Sequence, residues 1–197
     1  MTLQRLLIIA AASFVMISVQ PVLAAKRYQV EVIVFEHLSM NAGGEVWPEG
    51  DSVPQWDNAL AIFNDAQDSR FSTLPNARYK MSGVYRVLRL SQDYRPIMHL
   101  AWEQVGLPSS RAESIYVTSD NSQIEGAVTL EQSRFLFVDM ELIYQMGDSD
   151  GRFAHIDERR RMKLKELHYF DNPVFGAIVQ VTRAPAEQPA DEPNEDD

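Results

Sequence analysis

The chain has 197 residues, 28 acids against 18 bases, no cysteine, and 45% apolar residues. That length and apolar content suit one domain with a real hydrophobic core. The missing cysteines exclude disulfides, zinc–thiolate and iron–sulfur centres and a cysteine nucleophile. A formal charge of -10 argues against nucleic acid as a partner, because binding it needs a basic surface.

Arg5 precedes the apolar run Leu6–Val19, which Gln20 and Pro21 end before Val22-Leu23-Ala24. Small residues at -3 and -1 predict a signal peptide, 1–24, cleaved after Ala24. The run is short of the ~20 residues that span a bilayer, so no membrane span is expected after cleavage. No cysteine follows it, which excludes a lipoprotein anchor. An exported chain without cysteine suits an oxidising compartment, which in a Gram-negative cell is the periplasm.

Residues 25–183 read as a single domain. Tyr28–Phe35 alternates as a strand, with Val30, Val32 and Val34 on one face. A Gly/Pro-rich loop follows and carries Trp47, whose indole either stacks on a sugar or partner, or folds back as a lid. Asp57–Asp68 has helical spacing through Ala59, Leu60 and Phe63. Tyr79–Leu90 is a second helix, its face made by Met81, Val84, Tyr85 and Leu88. After Pro96 the period becomes two: Met98, Leu100 and Trp102 oppose His99, Ala101 and Glu103, so 97–104 is a strand. Further strands are predicted at Ser114–Thr118, Gly126–Leu130, Arg134–Tyr144, Glu158–His168 and Phe175–Thr182, with turns at 147–151 and 171–173. From Ala184 the chain has three prolines, six acids and no base, the composition of a disordered acidic tail, 184–197. The fold expected is α+β, a mostly antiparallel sheet with about two helices packed on one face.

The sharpest local feature is Arg159-Arg-Arg-Met-Lys-Leu-Lys165. On one strand, Arg159, Arg161, Lys163 and Lys165 would share a face, with Met162 and Leu164 pointing into the core. Two readings stand. Either the bases pair across a hairpin with Asp139 and Glu141, or the surplus positive charge is an anion site. The histidines His37, His99, His155 and His168 make no metal-ligand spacing. His99 reads as a satisfied, half-buried histidine and Trp102 as core. No nucleophile elbow or phosphate loop occurs, so no catalytic residue, metal or cofactor is expected.

Several segments together resemble a known family: Tyr28-Gln-Val-Glu-Val-Ile-Val-Phe35, Tyr94-Arg-Pro-Ile-Met-His-Leu-Ala-Trp-Glu-Gln104, Arg159-Arg-Arg-Met162 and Glu166-Leu-His-Tyr-Phe-Asp-Asn-Pro-Val-Phe-Gly176. Over roughly Tyr28–Thr182 the chain is similar to the CsiV family, periplasmic peptidoglycan-binding proteins of cell-shape integrity. Asn172 departs from the pattern, which often has His there, and 105–125 has no match. The resemblance implies a non-enzymatic cell-wall binder that supports a bifunctional peptidoglycan synthase through its outer-membrane lipoprotein activator. It transfers no catalytic residue and no mapped ligand site. The residues themselves suggest Arg159, Arg161, Lys163 and Lys165 for stem-peptide carboxylates, with His168 and Tyr169 beside them and Tyr169 as a stacking surface. One alternative is a protein-only adaptor that accepts a partner strand at Tyr28–Phe35 or Phe175–Thr182, if either lies at a sheet edge. The other is a wall hydrolase.

Overall fold

The computed structural model describes residues 26–39, 53–63, 70–147 and 151–185. The expected leader, Trp47 with its loop, and all but the start of the expected tail lie outside the described residues. Among the described residues the order is β1 Arg27–His37, β2 Phe71–Thr73, α1 Ser82–Leu90, β3 Tyr94–Val105, β4 Ser114–Thr118, β5 Ile124–Gln132, β6 Leu136–Gln145, β7 Phe153–Met162, β8 Leu167–Asp171 and β9 Phe175–Arg183.

The strands form two sheets rather than one. Sheet A has the order β2-β3-β1-β9-β8 and sheet B the order β4-β5-β6-β7. Every strand pairing within them is antiparallel. The inner faces share one core. Sheet A supplies Val30, Val32, Val34, Met98, Trp102, Val179 and Val181, and sheet B supplies Ile115, Val128, Leu130, Val138, Met140, Leu142 and Ile156. Each large aliphatic or aromatic side chain buried this way stabilises by about 1.5–3 kcal/mol. The alternation read from the sequence places Val30, Val32, Val34, Met98, Trp102, Val138, Met140 and Leu142 correctly, and strands form where expected at 97–104, 114–118 and most of 134–144.

Sheet A is covered on its outer face as well. Met81 and Leu88 of the α1 segment pack on Ile33 and Phe35, with Val84, Tyr85 and Ile178 around them. Tyr28–Glu36 of β1 are therefore all buried. The layers run helix, sheet A, sheet B, and the outer face of sheet B has no helix on it among the described residues.

Four expectations need correction. The fold is sheet-dominated, with a single α-helix among the described residues. The expected helix from Asp57 is not formed over 57–63: Leu60 bridges to Ile115 in parallel, donating to Ser114 O and accepting from Tyr116 N. Strand-edge bonding to β4 wins over a helical spacing that rested on three apolar residues.

The expected strand Glu158–His168 is two strands in different sheets. β7 ends at Met162 in sheet B, and β8 begins at Leu167 in sheet A. Lys165, at φ 68°, turns the chain in the left-handed region, and its N–H bonds to Val181 O at 2.8 Å. Lys163 and Lys165 therefore do not continue the Arg159–Arg161 face. Finally, β1 and β9 are interior strands, so neither offers the free edge that strand addition needs.

Candidate functional site

The residues that carry the family resemblance in β1 and β3 are structural. Glu31 is 1% exposed on the outer face of sheet A. Its carboxylate accepts from His99 Nε2 at 2.8 Å, Lys80 N at 2.7 Å and Met81 N at 2.8 Å, which pins the start of α1. Burial pushes the Glu31 pKa up, but the bonds from His99, Lys80 and Met81 outweigh it and hold the carboxyl below its ordinary value. His99 is enclosed by Tyr79 and Tyr85, a satisfied histidine as read. Trp102 Nε1 donates to Gln104 Oε1 at 2.7 Å, both buried.

The outer face of sheet B is different. The register sets Tyr116, Ala127, Glu141 and Asp157 in one row across the sheet, and Ser114, Thr129, Asp139 and Arg159 in the next. Glu141 thus sits opposite Asp157, a like-charge pair that costs stability. Burial, then the charges of Glu131 and Asp157, raise the Asp139 pKa, and Arg159 only partly offsets them.

Residues 53–60 pass beside β4 and stand Trp56 over this face, its Nε1 donating to Glu141 Oε2 at 2.8 Å. The indole divides two hollows. One of about 340 Å³ is lined by Gln55, Trp56, Asn58, Thr129, Asp139, Glu141 and Asp157, among others. The second, of about 420 Å³, lies between Trp56, Val53, Pro54, Tyr116 and Glu125. These sizes fall in the ordinary range for small-ligand sites. An aromatic wall among carboxylates, amides and hydroxyls is a surface that can stack on one face of a polar ring and bond its hydroxyl or amine groups.

The six sequence-predicted residues do not form one cluster. Arg159 and Arg161 lie on this face of sheet B. Arg159 bonds Glu131 at 2.6 Å and stacks on Phe137, and Arg161 lies over the Phe135 ring at 3.4 Å. Arg160 points to β8, bonding Glu158 and donating to Tyr169 O at 2.5 Å. Lys163 and Lys165 occupy the crossing turn, where Lys163 is 3.4 Å from Glu166. His168 Nε2 accepts the Lys163 N–H at 3.1 Å, so it closes that turn.

Tyr169 lies on the outer face of sheet A, its ring against Gly176, where a Cβ would come within 2.7 Å. Its hydroxyl bonds Asp171 at 2.5 Å and His37 at 3.2 Å. Burial and the Asp171 bond raise its pKa. Arg159 and Arg160 are met by Glu131 and Glu158; the expected cross-strand pairs of Asp139 and Glu141 with Arg161 and Lys163 do not form, since Asp139 faces Arg159, Glu141 faces Asp157 and Arg161 faces Phe137. Trp56 is the residue that sequence reasoning missed. Its signal was a tryptophan set among Gln55, Asp57 and Asn58, which the helical reading obscured.

A helix-backed double sheet with an open, polar, aromatic-walled face is a scaffold for holding a ligand by surface contacts. Among the described residues no three His, Asp or Glu converge to hold a metal, and no helix is long and apolar enough to cross a membrane. The chain belongs to the CsiV family of peptidoglycan-binding proteins, whose family model matches residues 3–184. No curated protein and no solved structure matches it.

Proposed function

We propose that this protein acts in the periplasm as a non-enzymatic binder of peptidoglycan, and that it grips the wall with the outer face of sheet B. The observation that carries this reading is the Trp56 hollow. Its indole offers a stacking wall for a sugar, and Asp139, Glu141 and Asp157 offer acceptors for hydroxyl and amine hydrogens. Arg161, whose guanidinium lies over the Phe135 ring, is offered to stem-peptide carboxylates. Lys163 and Lys165 extend the positive rim into the turn. In this reading His168 positions that turn, and Tyr169 is a separate stacking surface on the opposite side of the sandwich.

The test is co-sedimentation of Ala25–Asp197 with protein-free sacculi at low and high salt. Pelleting that weakens with salt supports the reading, because exposed charge contacts are screened beyond about 10 Å at 0.1 M salt. Absence of pelleting at both salts contradicts it. The finer role, support of a peptidoglycan synthase through its outer-membrane lipoprotein activator, rests on the family resemblance. Retention of the activator by the immobilised protein, with no wall present, tests that role.

A further inference from the structure

The outward face of α1 is built unlike a merely solvated helix. Met81, Val84, Tyr85 and Leu88 turn toward sheet A, which leaves Gly83, Arg86, Val87 and Leu90 on the opposite side at the same i, i+3, i+4, i+7 spacing. Val87 is 70% exposed and Leu90 74%, the two most exposed large apolar side chains among the described residues. Arg86 and Arg89 flank them and make no hydrogen bond or ion pair among the described residues. From Asn76 to Gln92 the chain has four bases, Arg78, Lys80, Arg86 and Arg89, and no acid. Asp93 ends this stretch, and Tyr94 after it is 39% exposed. Arg78 is paired with Glu103, so in a protein of charge -10 the local inversion of sign rests on Arg86 and Arg89 beside an aliphatic centre.

We infer that this face docks on the surface of an anionic phospholipid bilayer. A convex helix presenting two aliphatic side chains offers no pocket for a small anion. It does match a boundary where phosphates lie beside hydrocarbon. Arg86 and Arg89 complement the phosphates, while Val87 and Leu90 enter the headgroup–acyl boundary. The layer order gives the contact a consequence. α1 lies on one side of the sandwich and the Trp56 hollow on the other, so a molecule resting on lipid through α1 turns the hollow away from the bilayer. The inference does not depend on what the hollow binds.

The test is flotation of Ala25–Asp197, which keeps every described residue, with vesicles of phosphatidylglycerol and phosphatidylcholine and with phosphatidylcholine alone. The protein floats with the anionic vesicles at low salt and stays behind with the neutral ones. Arg86→Gln/Arg89→Gln and Val87→Ser/Leu90→Ser each reduce the bound fraction at least tenfold, while far-UV circular dichroism and sacculus pelleting stay at wild-type levels. No flotation with anionic vesicles, or equal flotation of either double variant, overturns the proposal. So does capture of an acidic protein through α1 without any vesicle binding. Sacculus pelleting, measured on the same samples, reports separately on the wall-binding reading.

Discussion

The outer faces of the two sheets both carry carboxylates, and one on each, Glu31 and Asp139, shift in opposite directions. On sheet A, α1 closes over Glu31, and three N–H donors hold its carboxyl below the ordinary range. On sheet B, Asp139 lies among Glu131, Asp157 and Glu141 and is pushed up. The first arrangement stabilises the fold. The second leaves negative charge imperfectly compensated at an open surface, where a ligand bringing hydroxyl or amine hydrogens would offset it. The difference separates residues that build this protein from residues available to a ligand.

The largest effect should come from breaking the closed side. Glu31→Gln leaves His99 and two backbone donors facing a neutral amide, so unfolding stability should fall by about 3–5 kcal/mol, the usual loss when one partner of a buried pair is removed. Denaturant titration measures it. The pH dependence has a definite sign. Because the folded pKa of Glu31 lies below the unfolded one, its contribution is present above its ordinary value of 4.5 and is lost as pH falls through the folded value. Glu31→Gln should flatten the acid limb of the stability profile.

The open side should respond in binding more than in stability. Trp56→Ala should weaken sacculus binding about tenfold, or ~1.4 kcal/mol, with a smaller change in melting temperature. Arg161→Glu with Lys163→Glu should cost a few-fold at low salt and little at high salt, because these charges are exposed. Pelleting across a salt series reads both variants.

Two smaller changes sharpen the contrast. Lys165→Gly relieves a side chain at φ 68° and should raise stability by about 0.5–1 kcal/mol. Asp139→Asn should raise it by less, with the opposite pH behaviour to Glu31→Gln. The folded pKa of Asp139 lies above its unfolded value, so the wild type gains stability as pH falls through that range and loses it as pH rises. The neutral amide removes this slope, which thermal melts between pH 3 and pH 7, on the order of the carboxylate range, would show.

Much of the sandwich was legible because period-two alternation marks which face of each strand is buried. Met98 and Trp102, and Val138, Met140 and Leu142, reached the core as their spacing indicated. The alternation could not show which sheet a strand joins. Met162 and Leu164 both lie on the core side, so the even phase carries past the end of β7 into the crossing turn and 158–168 reads as one strand. That one error gathered Lys163, Lys165, His168 and Tyr169 into a single site with Arg159 and Arg161. The hollow was illegible for a related reason. It joins residues 55–58 to carboxylates about 80–100 positions later, and only the register of β4 to β7 brings them together.

The most direct test of the central claim is sacculus co-sedimentation of Trp56→Ala beside wild type and Tyr169→Ala, all first shown to be folded. The account predicts that Trp56→Ala loses most of its pelleting while Tyr169→Ala keeps most of its own. Wild-type pelleting by Trp56→Ala would contradict it and move the wall contact off the outer face of sheet B.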